Sequence, residues 1–128
     1  MQSAAARSAL NAYKQVGAQS ASPNRLVLMA FDGILEYMAR AERAFAAGDM
    51  AAKAQAILGA SQLVEHLLGS LDRERGGEIA ANLESLYNFL LIFLGKANIF
   101  DDPEALKACK PVVQNLRDAW AVLANQGG

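Results

Sequence analysis

The sequence is poor in the residues that carry chemistry. It holds one cysteine, Cys109, and one histidine, His66. An internal disulfide is therefore impossible. A di-iron site of the kind some helical bundles hold needs two Glu-x-x-His pairs and fails on residue count. Prolines number three and β-branched residues are scarce, which argues for helices in an Ala- and Leu-rich chain. The longest apolar run, Leu86 to Leu94 broken only by Asn88, falls far short of the ~20 residues that span a bilayer. Basic residues (12) and acidic residues (13) nearly cancel. The basic ones are scattered, without the stripe that nucleic acid or an anionic membrane surface requires. The opening MQSAAARSAL lacks the long apolar core of a secretory signal, which predicts a cytosolic protein with no membrane insertion.

What is present is a helical pattern. At 128 residues one core suffices, because a chain of this size buries roughly two-thirds of its unfolded surface. Residues 1–21, rich in Ala, Ser, Gln and Gly, read as a loosely held N-terminal arm. Ser22-Pro23 starts a helix: serine caps the free N–H groups, and proline at the first position gives up no needed donor. The spacing predicts a first helix to about Ala47, stopped by Gly48. Val27, Phe31, Ile34, Tyr37, Met38, Ala41 and Phe45 lie inward; Asp32, Glu36, Arg40 and Arg43 lie in water. Asp49 caps a second helix from Met50 to about Arg73, with Ala54, Ile57, Ser61, Val64, Leu68 and Leu71 inward and the turn RERGG as its stop. A third helix runs from Glu78 to about Asn98 on Ile79, Leu83, Leu86, Leu90, Phe93 and Ala97. Asp102-Pro103 opens a fourth on Leu106, Cys109, Val113, Leu116, Trp120 and Leu123, with a kink or break expected just before Pro111. The fold class is all-α: an antiparallel up-down-up-down four-helix bundle over residues 22–125, preceded by the flexible arm and followed by a frayed tail, 126–128.

No residue set points to catalysis, and no cofactor or metal is implied. His66 falls on the polar side of its helix beside Glu65, the setting of a surface histidine. Cys109 needs a base to act as a nucleophile, and its place on the inward stripe predicts a small buried hydrophobe. Asp32 and Glu36 have the spacing of an acid–base pair, but Arg40 and Arg43 beside them make ordinary surface charge the better account. Gly76-Gly77 follows no strand and precedes no Lys-Ser/Thr, so it makes no phosphate loop. The chain does not read as an enzyme.

The residues left over are apolar. Leu28, Leu35, Leu63, Leu67, Phe89, Leu91 and Ile92 fall off the main stripes. A wide stripe is normal in a bundle, since each helix touches two neighbours, and Leu67 and Phe89 suit that account. The excess recurs on three helices, and a monomer rarely keeps large apolar patches without a use. It predicts grooves for amphipathic partner helices. A homodimer would cover the same residues, so the pattern leaves open a structural or regulatory homo-oligomer with no client.

Several strings resemble the flagellar secretion chaperone family FliS: NAYKQV in the arm, SPNRLVLMAFDG opening the first helix, GGEIAANLESLY opening the third, KAN at its end, and LRDAW in the fourth. They span nearly the whole chain in family order. The resemblance implies a bundle that holds the disordered C-terminal region of flagellin, prevents it from polymerising in the cytosol and presents it to the flagellar export gate. It also implies that an aromatic of the arm, here Tyr13, closes over part of the binding surface and contributes to recognition at the gate. Three features depart from the family pattern. Phe31 stands where a tyrosine is common, Ile92-Phe93 where a basic pair is typical, and Pro111 is unusual. Phe93 can turn inward, whereas Ile92 should face out.

Overall fold

The computed structural model describes residues 22–126. They form four helices: α1 (Pro23–Ala47), α2 (Met50–Gly69), α3 (Arg73–Ile99) and α4 (Pro103–Asn125). Each begins where a short side chain can satisfy the free N–H groups of the first turn. Ser22 Oγ accepts from the Arg25 amide at 3.2 Å, and Asp49 Oδ1 from Ala52 at 3.1 Å. Asp72 Oδ1 accepts from Arg75 at 3.0 Å, and Asp102 Oδ1 from Glu104 at 3.0 Å and Ala105 at 3.4 Å. Proline occupies the first turn of both α1 and α4. Gly48, at φ 71°, ends α1 in the left-handed conformation.

Connections of a few residues force each helix back along its predecessor. The helices close into a ring in which α1 packs on α2 and α4, and α3 packs on α2 and α4. This is the up-down-up-down bundle that the spacing predicts. The α1–α2 contact is the most extensive of the four and the α3–α4 contact the least. Across the centre, the Phe31 ring lies 6.4 Å from Tyr87 and 5.5 Å from Trp120, tying α1, α3 and α4 together. Among the described residues no helix is long and apolar enough to cross a membrane.

Several sequence expectations are corrected. Helix α2 stops at Gly69 and does not reach Arg73. Asp72 caps the next helix, so Arg73–Gly76 wind as a first turn of α3. Gly77, at φ 52° and ψ −124°, then offsets that turn from the main rod. Helix α4 continues through Pro111 without a break. The carbonyl that loses its donor belongs to Lys107, and both Lys107 and Pro111 are exposed, so water can replace the missing bond.

The inward faces of α2 and α3 are also turned from those expected. On α2 the buried set includes Ala56, Gly59, Ala60, Leu63 and Leu67, while Ala54, Ser61, Leu68 and Leu71 are only half-buried. Small residues decide this, because they let α1 approach closely. A Cβ on Gly59 would lie 2.6 Å from the Tyr37 ring. On α3 the core is Ala80, Tyr87, Leu90, Leu94 and Ala97. The large Tyr87 ring, 2 % exposed, takes the centre and swings Ile79 and Leu86 outward. On α4, Leu123 is exposed and Ala124 buried.

Candidate functional site

Polar contacts between helices hold the frame. Arg117 of α4 donates to Asp32 of α1 at 2.9 Å, and the carboxylate holds the guanidinium above its usual pKa, first through that hydrogen bond. Arg25 reaches the end of α4, donating to the Ala124 carbonyl and Asn125 Oδ1 at 3.5 Å each. Lys53 is 4 % exposed and fully engaged. Its ammonium donates to the Asn98 carbonyl and Oδ1, both at 3.0 Å, and pairs with Asp101 Oδ1 at 2.6 Å. A buried cation is costly unless it is paired and hydrogen-bonded. This one is both, and it fixes α2 to the α3–α4 corner, where Asp101 itself adopts φ 49°. A lysine inside a run of alanines is the signal that could have revealed it; apolar spacing alone does not register a charged residue that faces inward.

The chemistry-bearing residues stay apart. His66 is exposed on α2, whereas Cys109 is fully buried on α4, and these two helices are not neighbours. Burial pushes the Cys109 thiol up to about 12, away from the thiolate that nucleophilic attack requires. Glu36 pairs with Arg40 at 3.5 Å and Arg43 at 3.8 Å in water. Among the described residues no group of three or more His, Cys, Asp or Glu gathers as a metal site.

The leftover apolar residues divide. Leu28 and Leu63, expected outside the core, are inside it at 7 and 1 % exposure, and Leu67, which a wide stripe accommodates, is buried as well at 5 %. Apolar spacing misplaces the first two because the inward face of α2 is turned and because α1 buries a second flank against α4. Leu35, Phe89 and Leu91 are half-buried and pack on the core, and Ile92 is 61 % exposed. Tyr13 lies outside the described residues.

The exposed apolar surface therefore concentrates on α3. Ile79, Leu86, Phe93 and Phe100 recur every seven residues along one edge of that helix; Ile79 and Phe100 are each 71 % exposed. Phe93 stacks on Phe89 with ring centroids 4.4 Å apart, and the Lys96 ammonium sits 4.9 Å from its centroid. Asn98, bound by Lys53, marks the side of α3 that faces α2, so this edge turns toward α4. On α4, Arg117 and Lys110 pair with Asp32 and Glu42 of α1. The opposite flank, with half-buried Val112 and exposed Leu123, thus turns toward α3. An apolar track follows the least extensive helix–helix contact of the bundle. At its head lies an open pocket of about 320 Å³ lined by Leu71, Asp72, Arg75, Gly76, Ile79, Ala80 and Leu83.

Comparison with known proteins identifies the bundle. The family described as "Flagellar protein FliS" matches residues 6–127. The chain is similar to the flagellar secretion chaperone FliS of Salmonella typhimurium, at 36 % identity over 88 % of this chain and 87 % of that one. It is similar to the Escherichia coli chaperone of the same name, at 33 % identity over 85 % of this chain and 84 % of that one. The flagellar secretion chaperone FliSB of Pseudomonas aeruginosa is 31 % identical over 90 % of this chain and 94 % of its own. The strings that suggested the resemblance hold frame residues: Arg25, Phe31 and Asp32 in the first helix, Tyr87 in the third, Asn98 in KAN, and Arg117 and Trp120 in LRDAW. With its fold, its motifs and nearly its whole length in agreement, the chain belongs to the FliS family of flagellar secretion chaperones.

Proposed function

We propose that this protein is a cytosolic, non-catalytic export chaperone. It holds the C-terminal region of flagellin, prevents its premature polymerisation and delivers it to the flagellar export gate. The observation that carries this reading is the apolar track on α3 and α4 in a protein of the FliS family. An amphipathic client helix would lay its apolar face along the seam, over Leu86, Phe89, Phe93 and Leu123, with Leu35 and Leu91 bordering other grooves. Filling three large side-chain sites contributes about 5–9 kcal/mol, and ordering the client takes back about 2–5 kcal/mol. The remainder is a reversible affinity, suited to a cargo that must be released. The arm, with Tyr13, would shield part of this surface until the client displaces it and would contribute to contact with the gate.

Co-expression with a flagellin C-terminal segment tests this. A stable 1:1 complex with added helical signal by circular dichroism is expected, and Leu86→Asp combined with Phe93→Asp should weaken it at least tenfold. No complex with the unsubstituted chain would refute the client assignment.

A further inference from the structure

The end of the bundle where α1 passes to α2 and α3 to α4 carries apolar residues that the client seam leaves aside. Ile99 and Phe100 are 75 and 71 % exposed. Met50, one turn before Lys53 on α2, is exposed at the same end. Phe100 closes the α4-facing edge of α3, but Lys96 stands between it and Phe93, with its ammonium 4.9 Å from the Phe93 centroid. A charged side chain thus interrupts the apolar track and sets this end apart.

Two clamped residues bracket the exposed pair. Lys53 donates to the carbonyl and side-chain oxygens of Asn98 and pairs with Asp101. The residues just before Ile99 and just after Phe100 are therefore both fixed to α2. Asp101 takes φ 49°, a conformation that costs energy for a residue other than glycine. A buried cation and a left-handed aspartate hold rigid a segment whose large side chains stand in water. Rigidity there adds nothing to burial, but it lowers the cost of ordering an anchor for a partner. The surroundings are acidic. Over residues 45–53 and 97–104 stand Asp49, Asp101, Asp102 and Glu104 against Lys53 alone, and Lys53 is 4 % exposed. The nearest other cations are already engaged: Arg43 pairs with Glu36 at 3.8 Å and Lys107 with Glu104 at 3.2 Å.

We propose that this end of the bundle docks a basic amphipathic helix of a partner protein. Its apolar face covers Ile99 and Phe100, and its Lys or Arg residues reach Asp49, Asp102 and Glu104. The same carboxylates repel anionic lipid and nucleic acid, which leaves a cationic polypeptide as the occupant. Three large apolar side chains make a patch smaller than the roughly 1,200–2,000 Å² of a stable interface, so the contact is transient. Charges at its rim act mainly on the rate of encounter and on the choice of partner. The surface is separate from the α3–α4 seam, and its occupancy does not depend on a client there.

Amide NMR shifts of the labelled full chain, titrated with a peptide of about 18 residues built from Leu and Lys at helical spacing, test this. Shifts at residues 45–53 and 97–104 are expected, with affinity falling as salt rises. The same peptide with Glu in place of Lys should bind at least tenfold more weakly. Ile99→Ser with Phe100→Ser should weaken the Lys peptide at least tenfold and leave the helical signal unchanged. Asp49→Asn, Asp102→Asn and Glu104→Gln together keep the helix caps, since asparagine caps as aspartate does. That variant should bind more weakly and lose most of the salt dependence. Leu86→Asp with Phe93→Asp disables the client seam, and the shifts at the end of the bundle should persist in that chain. No shifts there up to about 1 mM peptide, equal binding of the Glu peptide, or undiminished binding by the charge-free variant would overturn the proposal. Phosphatidylglycerol vesicles or a single-stranded oligonucleotide perturbing the same amides would overturn it too, in favour of a membrane or a nucleic acid.

Discussion

The two hairpins of the bundle manage their apolar residues in opposite ways. In α1 and α2 the large side chains are mostly inside, small residues line the contact, and only Met50 and Leu58 are large, apolar and exposed, at 38 and 39 %. In α3 and α4, Ile79, Leu86, Ile92, Ile99, Phe100, Val122 and Leu123 are all exposed. Overall hydrophobicity does not explain the contrast, since α2 is on average more apolar than α3. Closeness of approach does. Ala56, Gly59 and Ala60 let α1 and α2 close over their own leucines, whereas bulky Phe89, Phe93 and Val112 along the α3–α4 seam leave apolar edges outside. The first hairpin is built to hold the fold and the second to offer a surface.

Substitutions can break that contrast. Phe31→Ala should be the most damaging, since the ring is fully buried between Tyr87 and Trp120 and joins both halves. A loss of about 3–5 kcal/mol is expected, read by urea unfolding. Lys53→Met comes next. It fills similar volume but leaves the Asn98 carbonyl without its donor, for a loss of about 1–3 kcal/mol. The effect should appear as faster hydrogen exchange at the α3–α4 corner.

Alkaline pH should act through the second hairpin, where burial disfavours ionisation of two groups. Tyr87 is raised from 10.0 to about 12 and Cys109 from 9.0 to about 12. Both stay neutral when folded but ionise earlier when unfolded. Their contribution is complete below pH 9 and is lost as pH rises from 9 toward 12. Melting temperatures across that interval should fall, and Cys109→Ala should delay the onset of the fall. The smallest effect on stability is expected from Ile92→Arg, within about 0.5 kcal/mol, with association altered instead. A loss of several kcal/mol would place Ile92 in the core and erase the contrast between the hairpins.

Much of the fold was legible because it rests on local chemistry. Ser22-Pro23, Gly48-Asp49 and Asp102-Pro103 each mark a helix boundary found where the residues place it, since caps act within one turn. The inward stripes of α1 and most of α4 follow from apolar spacing alone. The misread faces of α2 and α3 have one source. Ile79 and Leu86 looked inward, and Leu63 outward, because ranking by hydrophobicity gave no weight to Gly59 admitting Tyr37 or to the Tyr87 ring filling the centre. The ion pair between Asp32 and Arg117 was equally hidden, as its members stand 85 residues apart.

The sequence by itself determined that this is a four-helix bundle with a single His and a single Cys, and its motifs pointed to the FliS family. Capping, helical period and composition are properties of neighbouring residues and need no knowledge of the whole. Only the tertiary structure decided how each helix is turned about its axis, and so which apolar residues are left outside. That rotation is set by how closely pairs of helices can approach, which depends on side chains meeting across the core from distant parts of the chain.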